Sequence, residues 1–212
     1  MISPFFSDNS PKTISLCNDI ISNSGLQLTY IDGYEDMIMA PYEKKGEVIV
    51  RSHINNSSEL DWYFTYVKGY VKSRPASASL VGLFDKENDI RYKVGFDSRR
   101  FALKTPECRI RLSEIVLMLS EAYCHKGEEL EALKQLNVLR RHRIQGVKDL
   151  SLDDLPPVRD DDRIVEDAEG EALTPLMQAI LDERRRELFL EGDRWFELKR
   201  NGSPEWWIIN NG

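Results

Sequence analysis

The sequence predicts a mostly α-helical fold with tetratricopeptide-like helix pairs, a few short β-strands and long loops. Three observations favour this class. Apolar residues recur at helical spacing over 110–143 and 173–191, a short alternating segment covers 48–54, and a polar segment rich in Asp, Glu and Pro covers 146–171. At 212 residues, the chain can bury about 70% of the surface that it exposes when unfolded. We therefore expect a hydrophobic core.

The first predicted helix begins close to Met1. Ser10 and Pro11 suit its N-cap and first helical position, and Gly25 suits its end. Between them, residues recur at helical spacing at Ile14, Cys17, Ile20, Ile21 and Ser24. This spacing predicts a helix with one apolar face.

Several short elements follow. Residues 48–54 read VIVRSHI, and the alternation places Val48, Val50, Ser52 and Ile54 on one side of a predicted strand. Residues 55–58 favour a turn or loop, and a small helix is expected from about Ser77 to Phe84. The segment from Arg91 to Phe96 is compatible with a second short strand.

A helix pair is the clearest structural prediction. Gly127 separates two helices, and the polar segment 146–171 separates them from a third, over Leu173 to Glu191. Small residues are expected where the paired helices cross closely. The predicted apolar face consists of Leu112, Ile115, Val116, Leu119, Ala122 and Tyr123, continued by Leu130, Leu133, Leu136 and Leu139.

The stretch ERRRELFLEGDRWFELKR, residues 183–200, combines many charges with an apolar pattern. Gly192 can end one helix, and Asp193 can cap a second helix that buries Trp195 and Phe196. The consecutive arginines 184–186 point in directions about 100° apart. At least one of them must therefore be buried and paired with a carboxylate, for which Glu183, Glu187 and Glu191 are candidates.

These segments resemble the SusD/RagB family of surface lipoproteins. The C-terminal stretch resembles the family's signature, and IRLSEIVLMLSEAYCHKGEELEALKQLNVLRRHR resembles its tetratricopeptide-like helix pair. RPASASLVGLF, CNDIISNSGLQL and residues 47–54 are similar to further segments that occur in the same order. Together they span nearly the whole chain. The resemblance identifies residues 1–212 as the C-terminal part of a SusD-like domain that lacks its N-terminal half and signal peptide.

The resemblance implies non-catalytic capture of oligosaccharides at the outer membrane of Bacteroidetes and delivery to a TonB-dependent, SusC-like channel. It also implies attachment to the membrane through a lipid anchor, which we expect to lie outside this chain. Because the expected partner of the first helix would precede Met1, we expect the apolar face from Ile14 to Ile21 to be exposed.

Composition adds little about function. The net charge of −7 and the pI of 5.2 disfavour nucleic acids and anionic membranes and favour neutral partners such as neutral sugars. The cysteines, Cys17, Cys108 and Cys124, are too few for a disulfide framework, and two of them lie in predicted helices as buried thiols. Residues 1–13 lack a secretory signal, and no apolar run of about 18 residues predicts a membrane span.

No pattern predicts catalysis or a cofactor. The sequence contains no nucleotide-binding, nucleophile-elbow or zinc-protease motif, and no spacing isolates a glycosidase pair of carboxylates. Asp160, Asp161 and Asp162 could bind calcium, but Ile164 breaks the EF-hand pattern and a solvated loop is the simpler interpretation.

The segment from Trp62 to Tyr70, WYFTYVKGY, holds five aromatic residues in nine positions. Aromatic rings can stack on the C–H face of a pyranose while polar side chains bind its hydroxyl groups. The candidate ligand-binding residues are Trp62, Tyr63 and Tyr66, with Asn55 and Asn56 as weaker hydroxyl contacts. The alternative is that most of these rings lie in the core or face the missing half.

Two functions of different classes remain beside glycan capture. A tetratricopeptide-type adaptor would bind a peptide in a concave helical face, but a single repeat gives little concavity. A glycoside hydrolase is the third candidate. Trp206 and Trp207 could stack on a ligand, but they are better interpreted as anchors of the C-terminal tail.

Overall fold

The computed structural model of the protein describes residues 9–39, 45–51, 66, 69–160 and 163–204. Over these residues the fold is mostly helical with one two-stranded antiparallel sheet, as predicted. The strands are β1 (Val48–Arg51) and β2 (Arg109–Arg111). The helices are α1 (Ser10–Asn23), α2 (Ile31–Met39), α3 (Gly69–Lys72), α4 (Ala78–Val81), α5 (Ile90–Gly95), α6 (Leu112–His125), α7 (Glu129–Arg141), α8 (Pro175–Glu187) and α9 (Asp193–Arg200).

Helices α6, α7 and α8 enclose the main core, which confirms the helix pair and its third helix. Ser120 and Ala132 are fully buried where α6 and α7 cross, and the Ser120 hydroxyl donates to the Ala132 carbonyl at 2.7 Å. Leu130 was expected in the apolar face but is 71% exposed. It lies about 130° around α7 from the centre of the buried stripe. That stripe consists of Ala132, Leu133, Leu136 and Leu139.

The apolar face of α1 is covered, so the expectation of an exposed face is wrong. Cys17 is 3% exposed and packs in a cluster with Leu112, Ile115 and Leu119 of α6. Helix α6 is apolar on several sides, so it can contact α1 as well as α7 and α8. Helix α6 therefore supplies the packing partner of α1 that was expected to precede Met1.

Strand β1 starts where the alternation predicts, but Val48 and Val50 do not lie on the same side of the strand as predicted. A β-bulge interrupts the register with β2 between Val48 and Val50. Val48 is therefore fully buried whereas Val50 is 53% exposed, although an unbroken strand would place both on one face. The remaining predicted strand residues, from position 52 onward, lie outside the described residues.

The predicted second strand at Arg91 to Phe96 is instead the helix α5. Asp89 is its N-cap, and the Asp89 side chain accepts a hydrogen bond from the Arg91 N–H. Arg91, Val94 and Gly95 share the buried face at helical spacing, and only Phe96 is extended. The N-cap decides between helix and strand here, because a six-residue segment fits both periodicities.

The small helix predicted from Ser77 begins as expected. The Ser77 hydroxyl caps α4 by accepting from the Leu80 N–H at 3.2 Å. Regular helix ends at Val81, and the following turn reaches Phe84. Phe84 packs edge-on to Phe96 with ring centroids 5.5 Å apart, and these rings form part of a second core cluster.

Helix α8 ends at Glu187, four residues before the predicted end at Glu191, and a turn leads to α9. Gly192, with a φ of +91°, precedes α9, and Asp193 is the first residue of α9 and not its cap. Trp195 and Phe196 are 55% and 69% exposed, so their expected burial is wrong. The buried side of α9 carries Glu197 and Leu198, which lie about 200° around the helix from the two rings.

The three consecutive arginines diverge as predicted, and one of them is buried. Arg184 is 2% exposed and donates to Asp193 Oδ1 at 2.6 Å, with Glu121 and Glu197 within 4.0 Å. Arg185 donates to the Ser79 hydroxyl near the surface, and Arg186 pairs with Glu183. The buried, paired arginine is thus confirmed, but its partners are not the carboxylates that the sequence suggested.

Replacing Arg184 with Ala is expected to lower the free energy of unfolding by about 3 kcal/mol, because it leaves buried carboxylates without their cation. Burial already raises the pKa of Glu197, so this carboxyl group depends on nearby positive charge. Urea unfolding followed by circular dichroism measures the change. Arg185→Ala is the control and should shift the free energy by less than about 1 kcal/mol; equal effects of the two variants would contradict the prediction.

The polar segment after α7 is a loop with a 3-10 turn at Leu152–Asp154. Ile164 is 3% exposed and packs against α8, so the loop is anchored to the body. Among the described residues, no group of three His, Cys, Asp or Glu side chains could hold a metal ion. Asp161 and Asp162 lie outside them.

The three cysteines are free. Cys17 is buried as expected, whereas Cys124 is half-buried and Cys108 is exposed. Burial raises the pKa of Cys124 to about 11, so its thiol stays protonated near neutral pH. Within the described ranges, no helix is long and apolar enough to cross a bilayer.

Candidate functional site

The predicted ligand-binding residues fall mostly outside the described part of the chain. Trp62, Tyr63, Asn55 and Asn56 are not described, so their role stays a prediction. Tyr66 is described and is 64% exposed. One of the three proposed aromatic residues therefore lies at the surface and not in the core.

Tyr70, at the end of the same aromatic segment, is 59% exposed. The guanidinium carbon of Arg74 lies 4.5 Å from the centroid of the Tyr70 ring, and the Ser73 hydroxyl donates to the Tyr70 carbonyl at 2.7 Å. The aromatic density of the sequence pointed to this segment, but it gave no reason to choose Tyr70 or Arg74. The sequence signal that could have indicated them is the spacing of four residues between Tyr70 and Arg74, which brings an arginine beside an aromatic ring on a helical turn.

A tight turn lies beside this segment. Pro75 forms a β-bridge with Phe101, and the Ala76 N–H donates to the Arg100 carbonyl at 2.8 Å. The guanidinium carbon of Arg99 lies 5.2 Å from the centroid of the Phe101 ring. Two arginine–aromatic stacks therefore meet on neighbouring backbone segments. We call this the Arg–aromatic surface; it consists of Tyr70, Arg74, Arg99, Arg100 and Phe101.

Buried arginine and glutamate side chains from several segments form an ionic network in the interior. Arg111 donates to Glu187 Oε1 at 2.6 Å and to Glu191 Oε2 at 2.9 Å. Arg143 donates to both carboxylate oxygens of Glu187, at 3.0 and 3.1 Å. Both arginines also donate to Glu47 Oε1, at 2.8 and 2.7 Å. These side chains, 0–1% exposed, tie the start of β1 and the end of α7 to helix α8.

The same network holds the segment that carries the Arg–aromatic surface. Arg91 binds both oxygens of Asp89 at 2.8 and 2.9 Å and donates to Glu183 at 2.5 Å. Lys104 donates to Glu191 at 2.6 Å. Residues 89 and 104 flank the tight turn, so both ends of the turn's segment are fixed to the signature stretch. The network thus gives a rigid support to the part of this surface that Arg99, Arg100 and Phe101 form.

The network is balanced in charge, and its arginines hold Glu183 and Glu187 in the ionised form. Burial opposes ionisation of Glu183, but Arg186 and Arg91 outweigh it and lower the pKa of Glu183 to about 2. Burial likewise opposes ionisation of Glu187, and Arg143, Arg111 and Arg91 hold its pKa well below the ordinary value. Because these groups are shielded from solvent and mutually paired, they suit a structural role and not catalysis. The five basic members are Arg91, Lys104, Arg111, Arg143 and Arg186, and the five acidic members are Glu47, Asp89, Glu183, Glu187 and Glu191.

A separate recess of about 200 Å³ lies between the start of α1 and the C-terminal half of α6. Met118 and Thr13 line it together with the polar side chains of Glu121, His125 and Arg200. Arg200 donates to Glu121 at 3.0 Å, so part of its charge is neutralised within the recess. The recess could hold one sugar-sized molecule and is the alternative location for a ligand.

Comparison with known proteins is informative at the level of family and fold. A family model described as SusD family matches residues 36–208. No curated protein matches the sequence. Among solved structures, the chain is similar to a SusD superfamily protein from Bacteroides thetaiotaomicron VPI-5482, with 19% identity and a TM-score of 0.61. A SusD superfamily protein from Bacteroides vulgatus ATCC 8482 gives 19% identity and a TM-score of 0.56. Each match covers 92% of this chain and 46% of the other, so the chain spans about half the length of these proteins.

Proposed function

The chain belongs to the SusD family, and from this premise we propose that it binds a glycan without converting it chemically. In this proposal the protein acts at the bacterial cell surface, is associated with the outer membrane, and passes its ligand to a SusC-like, TonB-dependent channel. The family supports a nutrient-binding role in general. The ligand-binding surface would be formed by the aromatic segment from Trp62 to Tyr70 and its neighbours.

The observation that carries this proposal is the exposure of Tyr66 and Tyr70. Tyr is intermediate in its preference for burial, so two exposed rings within five positions of one segment are more informative than a single exposed tyrosine. Flat rings at a surface are suited to the apolar face of a sugar, and nearby polar groups can bind its hydroxyls. The stacking of Arg74 on Tyr70 orients a donor group beside one of these rings.

The adaptor alternative has weaker support from the packing. Helix α6 contacts α1, α7 and α8, so the helix pair is covered on several sides. A peptide-binding tetratricopeptide protein needs an open concave face built from several repeats. The hydrolase alternative would require an accessible pair of carboxylates, whereas the acidic residues of the network are buried.

Tyr66→Ala and Tyr70→Ala are each expected to weaken glycan binding by about tenfold, since a stacked ring contributes about 1 kcal/mol or more. Binding of the parent is expected in the micromolar to millimolar range, as for a shallow site. Isothermal titration of the full chain against plant, host and microbial oligosaccharides measures the affinity. Thermal melting should change little, because both side chains are exposed.

Tyr30→Ala is the matched control, since Tyr30 is 62% exposed but stacks on His142 away from the aromatic segment. Trp62→Ala extends the test: loss of stability at unchanged affinity would show a core role for Trp62. Loss of binding in Thr13→Trp, with no effect of the tyrosine variants, would place the ligand in the recess and contradict the proposed surface. Release of reducing ends from any glycan would favour the hydrolase.

A further inference from the structure

Positive charge is concentrated in the stretch of sequence that carries the Arg–aromatic surface. Residues 66–105 contain nine Lys and Arg but four Asp and Glu, in a chain whose net charge is −7. Arg91, Lys104 and Asp89 are buried in the ionic network, so they contribute little to the field outside. The remaining residues of this segment still carry a clear excess of positive charge. A ligand that approaches this part of the protein therefore meets a local field opposite in sign to the overall charge.

The acidic residue of the tight turn, Asp97, is hydrogen-bonded to the backbone of the turn. The Asp97 carboxylate accepts hydrogen bonds from the N–H groups of Phe101 at 2.9 Å and Arg99 at 2.8 Å. These backbone hydrogen bonds lower the pKa of Asp97, and the charge of Arg99 adds to the effect. Arg99 lies 3.6 Å from Asp97 and remains 78% exposed. Asp97 therefore shapes the turn without fully neutralising the arginines around it.

Arg100 occupies a backbone conformation that favours glycine. Its φ is +70°, and its N–H donates to the Asp97 carbonyl at 3.0 Å to close the turn. A non-glycine side chain in this conformation costs about 1 kcal/mol. Over the residues that the structure describes, the Arg100 guanidinium makes no hydrogen bond or ion pair that would offset this cost. Within the described residues, no contact of the Arg100 guanidinium therefore competes with a ligand for this group.

Arg74 shows the same pattern on the adjacent segment. Its guanidinium stacks on the exposed Tyr70 ring and, within the described ranges, has no carboxylate partner. The stack holds the planar group in place, so less entropy is lost when it binds a ligand. Pro75 and Ala76 connect this segment to the turn, which brings Arg74 and Arg100 onto neighbouring strands of backbone.

We infer that the glycan bound by this protein is acidic, with a carboxylate or sulfate group held by Arg74 and Arg100 while Tyr70 contacts the sugar ring. This inference rests on the proposed glycan binding. Guanidinium groups bind carboxylates and sulfates through paired, charge-assisted hydrogen bonds. The negative net charge of the whole chain favours neutral sugars only if the charge is spread evenly over the protein. The excess of Lys and Arg in residues 66–105 shows that it is not spread evenly. The overall charge also opposes non-specific binding of polyanions, so binding of an acidic glycan must come from a local site.

The test is isothermal titration of the full chain with matched pairs of oligosaccharides. One pair is a galacturonate hexamer and its methyl ester, which tests carboxylate. The other is a sulfated galactose oligomer and its desulfated form, which tests sulfate. We expect the charged member of at least one pair to bind about tenfold more tightly than its neutral counterpart, and the difference to shrink in high salt.

Variants then locate the site. Arg74→Gln and Arg100→Gly should each weaken binding of the acidic member by about tenfold, whereas Arg100→Lys, which keeps the charge but not the paired hydrogen bonds, should bind more weakly than the parent and more tightly than Arg100→Gly. Arg100→Gly should melt no lower than the parent, because it removes the strained side chain. Lys134→Gln, which removes an exposed charge from α7, is the control and should bind as the parent does.

Each outcome separates the inference from the proposed function. Tight binding of an acidic member that Arg74→Gln and Arg100→Gly weaken, but Lys134→Gln does not, supports the inference. Binding of neutral members alone, or equal losses in all three variants, overturns the inference and leaves glycan binding intact. Failure of every oligosaccharide to bind would overturn both.

Discussion

Replacing Glu187 with Gln is expected to lower the free energy of unfolding by about 4 kcal/mol, because the substitution leaves a buried network with an uncompensated positive charge. Glu187 accepts hydrogen bonds from Arg91, Arg111 and Arg143 at 2.6–3.1 Å, and it is fully buried. The amide is nearly isosteric, so the loss of charge is the main change. Urea unfolding followed by circular dichroism gives the free energy of both proteins.

Glu131→Gln is the matched control for this prediction. Glu131 lies on α7 and pairs with Lys134 at 3.1 Å at the surface, with 46% of its side chain exposed. Removal of such an exposed pair should change the free energy of unfolding by less than about 1 kcal/mol. If Glu187→Gln does not fold, the milder variant Glu191→Gln should still fall well below the control. Unfolding midpoints of the Glu187 and Glu131 variants that coincide would show that the network adds no stability.

Acidification is expected to destabilise the protein strongly between about pH 5 and pH 2. The pKa of Glu183 is about 2 in the folded protein, and those of Glu187 and Glu191 are also lowered by their basic partners. An unfolded glutamate has a higher pKa, so the unfolded state binds more protons as the pH falls. The stabilisation is complete above the unfolded pKa and is lost as the pH approaches the folded one. For Glu183 alone the loss is on the order of 3 kcal/mol.

Thermal melts and urea titrations at about pH 7, 5, 4 and 3 measure this loss. Burial raises the pKa of Glu114 and Glu197, which act in the opposite direction and reduce the total effect. Glu183→Gln is the control: it should be less stable at neutral pH, but its stability should fall less steeply with acid. A free energy of unfolding that stays constant from neutral pH to pH 3 would contradict the prediction.

The helix pair and the third helix could be predicted because their apolar residues repeat over three or more turns. Small residues were expected where α6 and α7 approach closely, and the structure places Ser120 and Ala132 there. Shorter elements were harder. The helix at Arg91 had too few residues for its periodicity to differ from that of a strand, and a single bulge reversed the side on which Val50 lies.

The candidate site was predictable as a region but not as a set of side chains. Aromatic density pointed to residues 62–70, and two of these rings, Tyr66 and Tyr70, lie at the surface. Arg74 became relevant only when its stacking on Tyr70 was visible, and Arg100 only when its backbone conformation and its place beside Ala76 were known. The contact of Ala76 with Arg100 joins segments that are 24 positions apart in the chain, whereas the stacking of Arg74 on Tyr70 is local and depends on the conformation of the residues between them.

By itself, the sequence determined the family resemblance, the mostly helical class and the burial of one signature arginine, because periodicity and local charge pattern fix which residues share a face. Only the tertiary structure decided which face meets which neighbour. The carboxylates of Glu183, Glu187 and Glu191 could be recognised as needing cations, but their partners Arg91, Arg111 and Arg143 come from distant segments. Likewise, Trp195 and Phe196 are exposed because Glu197 and Leu198 face the body. The cost of removing a charged side chain from water is offset only where several opposite charges come together. The folded chain brings these charges together, and the local sequence does not.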